Sequence, residues 1–369
     1  MRILVLASDA FGGYGGIAKY NRDLIDALCD YPGLLEVVAI PRHIPMPLEL
    51  LPSKLTYVTD GINSKFRYFS TLLRRLVSRL KYDMIFCGHI NLLPMAYLAK
   101  WKLRVPLILV IYGVDAWYPP ESTLTKNILS KVDAVISISE FTKDRFLTWA
   151  GVKEDKVFIL PNAVEQKHYG VGIKNPDLLN RYGLNGKIVL LTLGRLSAIE
   201  HGKGFDEVIE LLPALSKQIP EIAYLIVGDG DDRRRLEDKA RSLRVADRVV
   251  FTGFIEENEK PDHYRLADAY VMIGRLEGFG FAFLEAMACG IPVVGSKLDG
   301  SREALREGAL GILVDPRRPD DIQAGILEAL KRPRGVIPAG LDYFSFENYE
   351  QRCHQILRQI ATPGKSAGI

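Results

Sequence analysis

A chain of 369 residues is long for one hydrophobic core and sufficient for two. Its 48% hydrophobic and 25% charged residues exclude a disordered polymer, and a formal net charge of +3 excludes the strong basic excess of a dedicated nucleic-acid binder. The four cysteines, Cys29, Cys87, Cys289 and Cys353, stand at no metal-ligand or disulfide-scaffold spacing, which predicts buried free thiols in a reducing compartment.

The first apolar run, Arg2–Ala7, predicts a strand. Asp9 and the glycines after it end the run too soon for a signal peptide, and no run approaches the ~20 apolar residues of a bilayer span. A cytoplasmic protein is expected. Glycines follow, then a helix starting near Ile17, then a second strand at Glu36–Ile40. Residues 65–81 place Leu72, Leu73, Leu76, Val77 and Leu80 on one helical face, with Arg74, Arg75 and Arg79 elsewhere. Such a helix packs on a sheet. Its basic side also suits anionic headgroups, making 65–81 a candidate peripheral membrane contact at the inner face of the membrane.

Further strands are predicted at Met84–Cys87, Leu107–Ile111, Ala134–Ile138 and Val157–Leu160. A second series comprises Ile188–Leu193, Ala223–Val227, Val249–Phe251, Ala269–Ile273, Val293–Val294 and Gly311–Val314. Runs apolar on both faces, alternating with helical patterns, predict parallel sheets covered by helices. Pro161-Asn162-Ala163 ends the first series, and a polar stretch separates the two. The expected domains are 1–164 and 165–345, facing across a cleft, with a C-terminal helix in 346–362 packing back across the hinge and a terminal tail at Thr362–Ile369.

The first glycine-rich loop, Phe11-Gly12-Gly13-Tyr14-Gly15-Gly16, lies between a strand and a helix N-terminus. Backbone there can approach a phosphate, so Gly13, Gly15 and Gly16 are candidate ligand contacts. Gly13, Gly15 and Ala18 also satisfy the dinucleotide fingerprint, which leaves a nicotinamide-dependent oxidoreductase as the alternative. Glu36 begins its strand, however, whereas a ribose-binding acid belongs at the end. A purely structural turn also remains open.

In the second half, Arg195 leaves a strand end in Gly194-Arg195-Leu196, and Lys203 precedes a helix start in Lys203-Gly204-Phe205. Both cations can converge on one anion, suiting a diphosphate whose charge grows as it leaves. Gly228, in Val227-Gly228-Asp229-Gly230, either lines the same site or forms a plain turn. Phe254 and Ile255 follow the next strand, where they either meet a nucleobase or pack in a core. Glu277 precedes Gly278-Phe279-Gly280-Phe281, and Glu285 lies over a turn inside the following helix. Amide groups near Gly280 and Phe281 then face an anion, and the two carboxylates bracket them as acceptors for hydroxyl groups.

The stretch Arg275–Gly295 closely resembles the retaining glycosyltransferases of family 4, which have two Rossmann-like doubly wound parallel-sheet domains, the GT-B fold. The likeness extends to the Gly15-Gly16 loop, Pro161-Asn162, Gly194-Arg195-Leu196 and Lys203-Gly204. It implies an α/β enzyme that moves a hexose from a GDP- or UDP-sugar to a saccharide or lipid-linked acceptor, in cell-surface glycan or polysaccharide synthesis. Arg195 and Lys203 would hold the diphosphate, Glu285 the ribose and Glu277 the transferred sugar, helped by Phe279, Gly280 and Phe281. The implied front-face mechanism uses no metal and no cofactor. One departure is Tyr112, which stands where many members have a histidine facing the sugar. A tyrosine there can donate a hydrogen bond to a hydroxyl but is a poor base. Asp115 and His89, at neighbouring strand ends, become candidates for orienting the acceptor.

Overall fold

The computed structural model describes residues 1–199 and 202–361. Thr362–Ile369, read from sequence as a tail, lie outside the described residues. Residues 1–163 together with the segment from Phe346 form one compact unit, and residues 164–345 form another.

The first unit holds β1 (Arg2–Ala7), β2 (Glu36–Pro41), β3 (Leu55–Tyr57), β4 (Met84–Gly88), β5 (Leu107–Ile111), β6 (Ala134–Ser137) and β7 (Val157–Ile159). Their order is β3-β2-β1-β4-β5-β6-β7, and every pairing is parallel. The second unit holds β8 (Ile188–Leu193), β9 (Ile222–Val227), β10 (Val249–Phe251), β11 (Ala269–Met272), β12 (Val293–Ser296) and β13 (Ile312–Val314). They run parallel in the order β10-β9-β8-β11-β12-β13. Both are Rossmann-like sheets, and the chain reverses its winding between β1 and β4 and between β8 and β11. Central strands such as Leu107–Ile111 are wholly buried because helices cover both faces.

The helices that matter here are α1 (Gly16–Cys29), α2 (Lys65–Leu76), α3 (Leu93–Leu103), α4 (Phe205–Gln218), α5 (Phe281–Ala288) and α6 (Phe346–Ala361). Ser64 caps α2 by accepting the Arg67 N–H at 3.3 Å. The helical face expected through residue 81 stops at Leu76. Ser78 turns its hydroxyl onto the Arg75 carbonyl at 2.7 Å, a local bond that competes with the helix ladder. Leu72 and Leu76 are buried, whereas Val77 is 75% exposed.

Strand β3 was not expected from sequence, because Leu-Thr-Tyr carries no usable periodicity. Its pairing with β2 and the Tyr57 hydroxyl bond to the Phe11 carbonyl at 3.0 Å define it. Helix α6 packs on α1: the His354 ring lies 2.7 Å from the Ala27 carbonyl, and Tyr349 meets Tyr20 edge-on. All four cysteines are buried and free. Among the described residues no helix is long and apolar enough to cross a membrane.

Candidate active site

The second unit gathers its chemistry where β8 and β11 end, the switch point of its sheet. Arg195 leaves β8 exposed to solvent. The stem of Lys203 crosses Gly194, where a Cβ would meet the lysine Cδ at 2.9 Å. Its ammonium then lies 3.0 Å from Glu277 Oε2, in a pair with side chains 27% and 18% exposed. Glu277 also accepts the Phe279 N–H at 3.4 Å, which folds the carboxylate back over its own loop. The loop from Glu277 to Phe281 thus brings together Lys203, Glu277, Gly278, Phe279 and Gly280 at the start of α5.

Gly280 is required at that turn. Its φ is +102°, and a Cβ would meet Phe283 Cδ2 at 2.6 Å. Phe279 is buried edge-on to Phe344, so its contribution to a ligand is through backbone. Gly228 is pinned by its N–H to the Gly253 carbonyl at 3.1 Å. Phe254 is 59% exposed beyond β10, with Ile255 half-buried, and β9 separates that strand from β8.

Glu285 departs from the expected picture of a carboxylate open on a helix face. It is buried, its Oε2 accepts from the Tyr264 hydroxyl at 2.7 Å, and Lys260 lies 3.7 Å from Oε1. Burial, with Glu285 alongside, pushes the Tyr264 hydroxyl well above the usual tyrosine range, so it stays a donor.

Asp299 is a residue that the sequence reading missed. It follows β12, is fully buried, and accepts the N–H groups of Glu277 at 3.1 Å and Ser301 at 3.0 Å. Burial and then the nearby Glu277 charge raise its carboxyl to about 7, against a hydrogen bond from Ser301. Gly300 donates to the Glu277 carbonyl at 2.9 Å, so this turn sets the backbone that carries Glu277. A short Asp-Gly after a strand, 22 positions from Glu277, gave no signal that the two meet.

In the first unit, His89 follows β4 and Asp115 follows β5 on adjacent strands. His89 Nδ1 accepts the Asn91 N–H at 3.1 Å, which leaves the proton of the neutral ring on Nε2. Burial lowers its pKa, with Asp9 opposing, so His89 is a neutral donor at neutral pH. Asp115 accepts the Tyr112 N–H at 3.3 Å, and burial raises its carboxyl to about 7.

Tyr112 does not offer its hydroxyl to a sugar. The group is buried, 2.7 Å from Asn21 Oδ1 and 2.9 Å from the Gly88 carbonyl. Its single proton is committed within the fold.

The glycine loop is also internally laced. Arg22 donates to the carbonyls of Ala10 at 3.2 Å and Gly13 at 2.9 Å, while Glu49 takes the Gly12 N–H at 2.6 Å. Gly15 caps α1 at φ +86°, and Gly16 opens the helix. The dinucleotide alternative has no ribose acid here. Glu36, at the start of β2, is held by Arg2 at 2.7 Å and Thr56 at 2.6 Å.

Comparison with known proteins gives a consistent placement. Residues 14–168 match the model for glycosyltransferase family 4, and residues 177–338 match that for glycosyl transferases group 1. The chain is 32% identical over 247 residues to the GDP-mannose-dependent alpha-(1-6)-phosphatidylinositol monomannoside mannosyltransferase of Mycolicibacterium smegmatis, covering 63% of each chain. It is 26% identical to alpha-D-kanosaminyltransferase of Streptomyces kanamyceticus, covering 64% of each. These matches span less than two thirds of either relative. Among solved structures, Anabaena HepE in complex with UDP and glucose is similar with a TM-score of 0.75 at 20% identity, covering 97% of this chain and 100% of that one. Sucrose-phosphate synthase from Thermosynechococcus elongatus is similar at 0.72 and 21%, covering 97% and 98%. Two parallel-sheet Rossmann-like domains with these neighbours are the GT-B fold. The chain belongs to the group 1 glycosyltransferases of family 4.

Proposed function

We propose that the protein is a retaining hexosyltransferase that uses a GDP- or UDP-sugar and serves cell-surface glycan or polysaccharide synthesis. The observation that carries the reading is the Lys203–Glu277 pair, 3.0 Å apart at the sheet's switch point and next to the α5 N-terminus. Lys203 and exposed Arg195 take the donor diphosphate, and the backbone at Gly280 and Phe281, where α5 begins, adds the positive end of a helix. Glu277 accepts from hexose hydroxyls once the diphosphate draws Lys203 away. Glu285, oriented by Tyr264, serves the ribose diol. Gly228, Phe254 and Ile255 lie toward the base.

The sugar C1–O bond to the diphosphate breaks while the acceptor oxygen bonds to C1 on the same face. The acceptor proton passes to the departing phosphate oxygen, and the two cations hold the charge that develops there without a metal. In the first unit, His89 donates from Nε2, Asp115 supplies a carboxylate near neutrality, and Gly13, Gly15 and Gly16 line the acceptor side. The acceptor is a saccharide or a lipid-linked saccharide, and the cationic segment 65–81 supports the lipid-linked choice. The mannosyltransferase named above is GDP-mannose-dependent and acts on a phosphatidylinositol mannoside, which favours GDP-mannose as the first donor to try.

Radiolabelled GDP- and UDP-sugars should be hydrolysed slowly in the absence of acceptor, and one of the two should raise the melting temperature. Protection by NADH with none by any sugar nucleotide would overturn the reading in favour of an oxidoreductase.

A further inference from the structure

The first unit carries a second concentration of chemistry at the opposite end of its sheet from Asp115 and His89. Helix α3 ends in Lys100-Trp101-Lys102-Leu103, Arg104 follows, and the chain then enters β5. This connection lies where the parallel strands begin, with Ile85 N–H donating to the Pro106 carbonyl at 2.9 Å. The connection from α2 into β4 reaches the same edge, where Arg2 at the start of β1 donates to the Lys81 carbonyl at 3.3 Å. A cavity of about 900 Å³ opens there, lined by Tyr97, Trp101, Lys102, Arg104, Val105 and Pro106 among others.

Three observations describe what this edge takes. Trp101 is 71% exposed and Val77 75% exposed, so two apolar side chains face solvent without cover. Cations flank them in sequence: Arg79 and Lys81 follow Val77, and Lys102 and Arg104 follow Trp101, while the acids at this edge include Asp83, which accepts the Arg2 N–H at 2.6 Å, and Asp133 on the cavity lining. Lys100 is neutralised by Asp133 at 2.6 Å, which leaves the charge to the others. Arg104, finally, closes α3 in the left-handed region at φ +59°, a cap that glycine takes without strain. A cation on the cavity lining is what arginine adds there.

We infer that this edge is a docking surface for an anionic lipid bilayer, with the Trp101 indole at the interface and Lys102 and Arg104 against headgroup phosphates. An amphipathic indole prefers the headgroup boundary, and each basic side chain near an anionic leaflet strengthens binding. The surface extends the contact from the exposed side of α2 to the strand-start edge. It rests on the lipid-linked-acceptor reading for its purpose, but the measurement does not depend on turnover.

The full-length protein is mixed with vesicles of phosphatidylcholine alone or with phosphatidylglycerol added, and binding is read by co-sedimentation and tryptophan emission. Of the three tryptophans, Trp117 is buried and Trp149 donates its ring N–H to the Ala116 carbonyl at 3.0 Å, so Trp101 is the responsive one. Anionic vesicles should sediment the protein and shift its emission to the blue, and the shift should vanish in W101F. K102E/R104E should weaken binding by more than about twentyfold, since each cation contributes about fivefold. Nitroxide-labelled lipid should quench the emission of the unmodified protein, a readout that requires no variant. Equal binding to neutral vesicles, sedimentation without quenching, or capture by an acidic polysaccharide in place of vesicles would each overturn the inference. Donor hydrolysis should be unchanged in both variants; its absence in every form would refute the proposed activity and leave the vesicle result standing.

Discussion

Asp299 offers a prediction in which the structure sets both size and sign. Its carboxyl accepts two backbone N–H groups, from Glu277 and Ser301, while burial raises its pKa from 3.8 to about 7. The raised value means that the folded state holds a proton that the unfolded chain has released. That stabilisation is fully present below pH 3.8 and is lost as pH rises through about 7. Between pH 5 and pH 8.5 the loss comes to about 2–3 kcal/mol by linkage. Asp299→Asn removes the titration. It keeps one acceptor and sets an amide N–H against the other backbone donor, at a cost of about 1–2 kcal/mol. The variant should therefore be less stable than the parent at pH 5, and equal or slightly more stable at pH 8.5. Urea unfolding at both pH values tests this, compared on the transition that the substitution moves, because a two-unit chain need not unfold in one step. A stability difference that does not change with pH would refute the reasoning. Because Asp299 holds the Glu277 backbone, Asp299→Ala should also lower kcat for donor hydrolysis while Asp299→Asn largely retains it.

Lys203→Ala and Glu277→Gln should each lower donor turnover by about 10²–10³. Both should fold normally by circular dichroism, since a partly exposed ion pair contributes less than about 1 kcal/mol to stability. Gly300→Ala should destabilise the second unit by about 2–4 kcal/mol and abolish nucleotide protection in thermal shift, because its Cβ would overlap the Gly278 carbonyl. Tyr112→Phe should cost about 1–3 kcal/mol in chemical denaturation by leaving Asn21 and Gly88 acceptors buried. Its KM for donor and acceptor should be unchanged; a large rise in either would show that the hydroxyl meets substrate. For Asp115, raised to about 7 by burial, the activity profile of the parent should inflect near neutrality, and Asp115→Asn should remove that inflection.

Much of the fold was legible because parallel strands covered on both faces must be apolar throughout. Runs such as Leu107–Ile111 and Ile188–Leu193 carry that requirement in their composition. The glycine at the start of α5 was readable for a similar reason, since a left-handed turn against Phe283 admits little else. Lys203 and Glu277 were legible as chemistry, and the winding of the second sheet is what brings them to 3.0 Å.

Other features depend on partners distant in sequence, and no local pattern encodes them. Tyr112 looked available because it follows a strand, yet Asn21 on α1 and Gly88 at the end of β4 enclose its hydroxyl. Glu285 looked open on a helix face until Tyr264 and Lys260 packed over it. The basic helix pattern ran on to residue 81, whereas the Ser78 hydroxyl ends it at Leu76. Asp299 had no signature at all; only the packing of the β12 turn beneath Glu277 gives it a role. Sequence alone determined the two sheets, apart from the edge strand β3, and the donor-side residue types, because burial and backbone strain restrict composition locally. Tertiary structure decided which polar groups remain available to a ligand, because that depends on which distant donors and acceptors reach them first.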